Sequence, residues 1–408
     1  MPYDAHIRRR TCLGFGLGLA ADVAFPRAPE AASVVDDAGP WGTYKTIISF
    51  RHRVGKLPNG LMCASDGMPY GTTELAGSYG YGTLYCVDAH ERVHVLHSFG
   101  ASRDDFIMPS SPPTEGDDDA LYGVVNAGGG GSEGGVYRLG RDGRWDILHA
   151  FSNRRAEGYL SSRLVLGSDG QFYGSNALGG TYNGGVVYRL GKDGTVTPLW
   201  QLGEPGGPDY PQAALIEGVD GRLYGTSRDG GAGDYYGTIF SLAKDGSDPR
   251  VVHSFERSGG WNPGPVVQGM DGYLYGTTRY GGQKGFGTAY RVAPDGSDHS
   301  VLHDFAHGRA SSPLLEIEPG VLAGTSFPDS SNGGSLFVLT TDGRFHVLRS
   351  FGGRNPHGDR DGDAPAGPLC RAPSGELVGT CNFGGAVYGG TLWFARAPDG
   401  SWGAGLRT

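Results

Sequence analysis

The stretch from Ala214 to Phe255 decides the fold. Ala214-Leu215-Ile216-Glu217-Gly218 is short and apolar, and Asp220-Gly221 after it is a hairpin-turn dipeptide. Leu223-Tyr224-Gly225-Thr226 reads as a second strand, followed by a loop holding Gly230-Gly231. Gly237-Thr238-Ile239-Phe240-Ser241-Leu242 alternates as a half-buried third strand. Asp245-Gly246 turns again, and Val251-Val252-His253-Ser254-Phe255 is the fourth. Four short antiparallel strands joined by tight turns make one blade of a β-propeller.

The unit repeats. The glycine of Leu-Tyr-Gly-Thr and its degraded forms recurs at Gly71, Gly123, Gly174, Gly225, Gly276, Gly324 and Gly379, a spacing of about 51 residues. The fourth-strand signature also occurs seven times, ending at Phe50, Phe99, Phe151, Leu202, Phe255, Phe305 and Phe351. The first signature precedes the first anchor and none follows the last. Tyr44 to Phe50 must therefore complete the last blade, because open sheet edges invite aggregation. The expectation is an all-β, seven-bladed propeller over residues 43–403, four antiparallel strands per blade, closed by the N-terminal strand.

Composition agrees. Glycine (75) and proline (25) make about a quarter of the 408 residues, yet 38% are hydrophobic and 11% aromatic, enough to bury a core. The glycines follow no collagen period. No apolar run is long enough for a membrane helix. A net charge of -9 makes nucleic acid a poor partner. Residues 1–35 read as a leader: Arg8, Arg9 and Arg10 precede an apolar segment from Cys12 to Ala21, as in a twin-arginine-like export signal or simply a disordered leader. Cys63, Cys86, Cys370 and Cys381 form no CxxC pair; Cys370 and Cys381 could approach across one hairpin, but buried thiols are expected.

The run Asp-Gly-x-Leu-Tyr-Gly-Thr-Thr, then Gly-Gly, Gly-Thr, Asp-Gly and Leu-His-x-Phe, between Asp271 and Phe305, resembles the GloVer-type tandem repeat. The resemblance covers nearly all of residues 43–403. It implies a bacterial protein, exported or surface-anchored, and leaves the activity open. The absence of a carboxy-terminal anchor favours a released or periplasmic protein.

Loops between strands two and three, and between blades, gather on one face, where function is usually grafted on a rigid scaffold. Residues shared by most blades serve the blade: the anchor tyrosines, the Asp-Gly turns, and His97, His149, His253 and His303. Function belongs where a blade departs from its siblings. After the anchor, blades four and five carry Arg228 and Arg279; before the third strand they carry Tyr236 and Phe286. Tyr159, Tyr210 and Trp261 stand at matching places in the loops entering blades three, four and five, with Tyr235 and Tyr280 in the same sector. Arginine grips carboxylates bidentately, and aromatic faces support sugar rings. The competing reading pairs the arginines with Asp229 and Asp234 and leaves the aromatics as loop packing.

The expected ligand is an acidic, uronate-containing polysaccharide, bound by a monomer and cleaved by β-elimination. Arg228 and Arg279 would neutralise the carboxylate; Tyr236, Tyr280 or His307 would be the base, with Arg309 nearby. Propeller-fold polysaccharide lyases exist, which is a fold analogy only. The rivals are a non-catalytic glycan- or protein-binding platform, and a small-molecule enzyme using the central channel. No cofactor is required by this chemistry. Asp359, Asp361 and Asp363 are spaced as calcium ligands, but Ala364 replaces the glycine that should follow and no closing glutamate exists, so a solvated acidic loop competes with a structural calcium site. Asp117-Asp118-Asp119 reads as a turn, and no Gly-x-Ser-x-Gly, P-loop or HExxH occurs.

Overall fold

The anchor glycine is required by the strand beside it. In every blade the third strand sends an aromatic ring across that glycine. A Cβ on Gly71 or Gly174 would fall 2.5 Å from the hydroxyl of Tyr85 or Tyr188, and one on Gly225 or Gly324 would fall 2.5 Å from Cζ of Phe240 or Phe337. Tyr137, Tyr290 and Trp393 lie equally close over Gly123, Gly276 and Gly379. All seven rings are fully buried. The repeat's least bulky residue thus makes room for its largest.

The computed structural model describes residues 36–39, 42–129, 133–151, 157, 159–232, 235–310, 312–328, 333–353, 360–385, 387–397 and 402. Every regular element among them is a β-strand, and the strands form the seven antiparallel blades of a propeller. Blade one is Lys56–Cys63, Pro69–Leu75, Thr83–Val87 and Val93–Ser98. Blade four runs outward from Ile216–Glu217 through Leu223–Ser227 and Thr238–Leu242 to Arg250–Ser254. In blade five, Trp261–Pro263 and Val267–Gln268 share the inner position, followed by Leu274–Tyr280, Thr288–Val292 and Ser300–Asp304.

The ring closes as the sequence demands. Blade seven contributes Arg360–Arg371, Leu377–Gly385 and Thr391–Arg396, and Gly42–Ser49 pairs antiparallel with the last of these. Tyr44, Ile47, Ile48 and Phe50 are buried along this seam. Asp36–Gly39 adds a fifth strand outside it, Asp36 opposite Lys45. A disulfide joins Cys63 on the inner strand of blade one to Cys370 on that of blade seven, across the same closure; Cys86 and Cys381 are buried free thiols. The expectation of four thiols is thus corrected. Cys63 and Cys370 are 307 residues apart and meet only because the ring closes, and Cys381 is not the partner of Cys370.

Neighbouring blades are keyed together at the loop-bearing face. A proline near the start of one inner strand packs on the glycine preceding the previous blade's third strand. A Cβ on Gly185, Gly237, Gly334 or Gly390 would lie 2.6 Å from the ring of Pro211, Pro263, Pro365 or Pro58, and one on Gly82 would lie 3.0 Å from Pro109. The residues before these prolines, Leu57, Met108, Tyr210, Asn262 and Ala364, are all left-handed, with φ between 53° and 62°. That conformation is costly for side-chain-bearing residues and is held by the surrounding packing. On the opposite face, turn amides of Ser65, Ser168 and Met270 donate to Glu115, Glu217 and Glu316 of the next blade, each at 2.7 Å.

The repeated polar residues are structural. The anchor hydroxyls of Tyr70, Tyr122, Tyr173, Tyr224 and Tyr275 donate to the turn carboxylates of Asp66, Asp118, Asp169, Asp220 and Asp271. His97, His253 and His303 stack on Trp145, His299 and Phe345 of the following blade, and His149 contacts Gly194 O at 3.1 Å. Burial, aided by His299, pulls the His253 imidazole down to about 4. The Asp117–Asp119 turn is a turn: Asp117 pairs with Lys192 and Asp118 with Arg138.

Candidate functional site

The aromatic and arginine residues divide into two groups. The larger is a continuous row over blades four, five and six. Blade four lacks the usual glycine before Gly237, a left-handed residue (φ 87°), so Tyr236 stands there with a side chain. Tyr236 meets Trp261 edge-on, centroids 6.4 Å apart, and its carbonyl accepts from the Asn262 amide at 3.0 Å. Trp261 and Tyr280 are cross-strand partners in blade five and stack at 4.4 Å with planes 22° apart. The Arg309 guanidinium lies 4.7 Å from the Tyr280 centroid on the far side, and Arg279 lies 6.0 Å from Tyr280 and 5.6 Å from Phe327. Arg309 is held by its carbonyl, which accepts from the Phe327 amide at 2.7 Å. Phe286 and His307 flank the row, 6.3 Å apart.

Arg279 and Arg309 are both exposed, and among the described residues neither has a carboxylate partner. They are cations held on aromatic faces. Arg228 differs: its Nε and one terminal nitrogen donate to the same oxygen of Asp229, at 2.8 and 2.5 Å, and it covers the Tyr210 ring at 3.8 Å. The Asp229 bond raises its affinity for the proton further. Burial, and then Asp229, push the Asp209 carboxyl up. The equivalent sequence positions of Arg228 and Arg279 therefore carry different chemistry, one paired with Asp229 and the other without a carboxylate partner among the described residues, while Asp234 lies outside them.

Tyr210 is also one place out of line with Trp261. The residue opposite Tyr280 is Trp261, and the residue opposite Asp229 is Asp209. Tyr210 takes instead the left-handed position of Asn262, which aims it beneath Arg228. A one-residue offset in a strand exchanges its faces, so spacing alone could not place this ring. Tyr235 is 73% exposed beside the row. The backbone of Tyr159 pairs with Leu178, but its side chain lies outside the described residues. So do Asp359 and the side chain of Asp361; Asp363 is placed opposite Phe383. Among the described residues no group of three His, Cys, Asp or Glu side chains could hold a metal ion.

Two residues escaped the sequence reading. Phe327 underlies Arg279, and its signal was the same departure from sibling blades that singled out Arg228. Arg163 stands between the two inner-strand segments of blade three, Tyr159–Ser161 and Val165–Leu166, where no loop length drew notice to it.

A family model described as the Gloeobacter/Verrucomicrobia repeat matches residues 57–265 and 210–402. No curated protein sequence matches the chain. Among solved structures, an oligogalacturonate lyase in complex with manganese superposes with a TM-score of 0.61 at 15% identity, over 91% of this chain and 99% of that one. An oligogalacturonate lyase from Vibrio parahaemolyticus gives 0.59 at 12%, over 89% and 96%. The extracellular domain assigned to a hybrid two-component system of B. thetaiotaomicron gives 0.58 at 10%, over 86% of this chain and 39% of that one. At such identities the likeness is one of fold.

Proposed function

This chain belongs to the Gloeobacter/Verrucomicrobia repeat family, and from that premise we propose that it is an exported propeller acting on a uronate-containing polysaccharide by β-elimination. The observation that carries the reading is a pair of cations without a carboxylate partner among the described residues, Arg279 and Arg309, on the ring of Tyr280 beside Trp261. The two arginines would bind the uronate carboxylate, bidentately where geometry allows, and so acidify the adjacent C5 proton. Tyr280, shared by both, is the first candidate base, with Tyr236 and His307 flanking it. The base takes the C5 proton, those electrons form the C4–C5 double bond, and the glycosidic oxygen leaves C4 and takes up a proton. Trp261 and Tyr236 would support the neighbouring sugar rings. Arg228 already has Asp229 and is left out of carboxylate neutralisation.

Carbohydrate-related propellers among the structural neighbours support the substrate class, and the lyase activity named for two of them is theirs. The described residues do not fit a manganese centre, and no step here is routed through one. Export draws support from the Cys63–Cys370 disulfide, a bond favoured in oxidising compartments. Incubation with polygalacturonate, glucuronan and alginate, followed by ultraviolet absorbance of the unsaturated product, tests the activity. Product from at least one, lost in Tyr280→Phe, is expected. Binding without product from any would instead favour a non-catalytic glycan platform, the reading that the neutralised Arg228 favours.

A further inference from the structure

The turns that enter blades five and one share a frame and differ in chemistry. Phe255 to Pro263 and Phe50 to Pro58 are equal in length. Their backbones are held alike: Thr288 Oγ1 donates to Gly259 O at 2.9 Å, and Thr83 Oγ1 donates to Val54 O at 2.6 Å. Across the strands, Trp261 faces Tyr280 and Lys56 faces Leu75. Blade five fills its turn with Glu256, Arg257 and Ser258, whereas the closing turn into blade one holds Arg51, His52 and Arg53. On the same frame, a cationic ridge running from Arg51 to Lys56 thus stands where blade five builds its aromatic stack.

The ridge lies between two loops that expose aromatic rings. On one side the Gly77 amide donates to His52 O at 2.9 Å, which brings in the blade-one loop with Tyr79 and Tyr81. On the other side the Leu57 amide donates to Gly389 O at 3.0 Å, which brings in the blade-seven loop with Phe383 and Tyr388, stacked at 5.5 Å. The four rings are 52%, 46%, 36% and 50% exposed, and Arg51, His52 and Arg53 are exposed with them. Among the described residues none of Arg51, Arg53 and Lys56 has a carboxylate partner, and neither Glu74, beside Leu75, nor Asp363, opposite Phe383, pairs with them. Cations of the outer turns are matched instead, Arg92 with Asp88 and Arg144 with Asp146. In a chain of net charge -9, three unmatched cations within six residues are a local reversal of sign.

We propose that this ridge, with its flanking rings, is a second docking surface on the loop-bearing face, over the closure of blades seven and one, and that it takes a stretch of acidic polysaccharide. The guanidinium forks receive carboxylates along the polymer, and the aromatic faces lie against the sugar rings between them. The surface stands on the far side of the ring from the Trp261–Tyr280 row, so it holds the polymer rather than the bond to be cleaved. In naming a uronate polymer the proposal rests on the ligand class inferred above; the surface does not depend on the row's being catalytic.

Affinity electrophoresis in gels containing polygalacturonate, glucuronan or alginate tests it, with amylose as the neutral polymer and polymer-free gels as reference. At least one acidic polymer should retard the parent, less so as salt rises, and amylose should not. Arg51→Ala/Arg53→Ala should raise the dissociation constant about 2- to 30-fold, the range for two exposed ion pairs. Tyr79→Ala/Tyr388→Ala should weaken binding as well. Arg92→Ala/Arg144→Ala, which changes net charge equally at the outer turns, should have no comparable effect. The loss in Arg51→Ala/Arg53→Ala should persist in an Arg279→Ala/Arg309→Ala background, which separates failure of this surface from failure of the row. Affinity unchanged in either the arginine or the tyrosine pair, or an equal loss in Arg92→Ala/Arg144→Ala, would overturn the proposal. So would a parent retarded by no acidic polymer, and sedimentation with phosphatidylglycerol vesicles in that case would reassign the surface to a lipid.

Discussion

Removing residues 1–51 should cost far more stability than removing residues 1–35. The shorter truncation leaves Asp36–Gly39 and Gly42–Ser49 in place. The longer one strips the outer strands from blade seven and exposes the third strand, Thr391–Arg396, as a free edge. Four side chains go with it: Tyr44, Ile47, Ile48 and Phe50, at 6%, 3%, 9% and 0% exposure. At roughly 1.5–3 kcal/mol for each buried apolar side chain, their loss amounts to about 6–12 kcal/mol. That is comparable with the whole margin of about 5–15 kcal/mol expected of a folded domain. Tyr44 also leaves Phe351 and Trp393, with which it makes ring contacts at 5.8 and 5.6 Å.

The disulfide complicates the outcome in a measurable way. A crosslink spanning 307 residues restricts the unfolded chain by up to about 5–6 kcal/mol on chain-entropy grounds. It also tethers blade one to blade seven when the closing strand is absent. The two devices serve one seam and should be strongly non-additive. Oxidised protein lacking residues 1–51 should melt well below the parent, and adding Cys63→Ser/Cys370→Ser should leave it unfolded or aggregated at 25 °C. Circular dichroism melts and size-exclusion chromatography of the four proteins read this out. Equal melting temperatures for the two truncations would refute the account of closure.

Other outcomes follow from single contacts. Gly225→Ala forces a methyl against Phe240 and should destabilise by about 1–3 kcal/mol in urea titration, with Phe240→Leu in the same chain recovering part of it. His253, His299 and His303 are all pushed toward the neutral form by burial, His253 to about 4, while unfolded histidine titrates near 6.5. The unfolded chain binds the extra protons, so their contribution is complete above about pH 6.5 and drains as pH falls toward 4. Melting temperature should drop across that window, and His253→Phe/His299→Phe, which keeps the stack, should flatten the drop. Arg228→Ala should cost no more than about 1 kcal/mol of stability, as half-exposed ion pairs do, and leave uronate affinity nearly intact. Arg309→Ala should weaken that affinity about 10-fold or more with little change in melting temperature.

The architecture was legible because it is written seven times. One glycine under one ring recurs in all seven blades, one aspartate under one tyrosine hydroxyl in five, and one histidine against the next blade in four, at fixed spacing, so count, strand order and closure could be read from the chain. What recurs could also be set aside as structural, and the stacked histidines bear that out. The site was harder to read because it depends on register across strands. Spacing put Tyr210 level with Trp261, but a left-handed residue before Pro211 moves it to the other face. Spacing also made Arg228 and Arg279 equivalent, whereas an acid directly after Arg228 neutralises it. The Cys63–Cys370 bond carried no local signal at all, since only the closed ring brings its ends together. Arg163 could have been found by aligning inner strands on their buried residue rather than on their loops.

The proline that packs on a glycine at five of the seven seams has a consequence for copy number. The two halves of each lock are encoded in different repeats: the glycine in one, the proline in the next. A single repeat therefore carries half of two locks and is matched only in company. Where neighbouring repeats all carry both halves, duplication or loss of one of them leaves each glycine of that stretch facing a proline, so those mating surfaces are inherited intact. What changes is only the angle each copy must subtend to close the circle. Such a gene can lengthen or shorten by recombination without first inventing a new joint. The two seams without this proline lie before blades three and six, the same copies that supply Arg163 and Arg309.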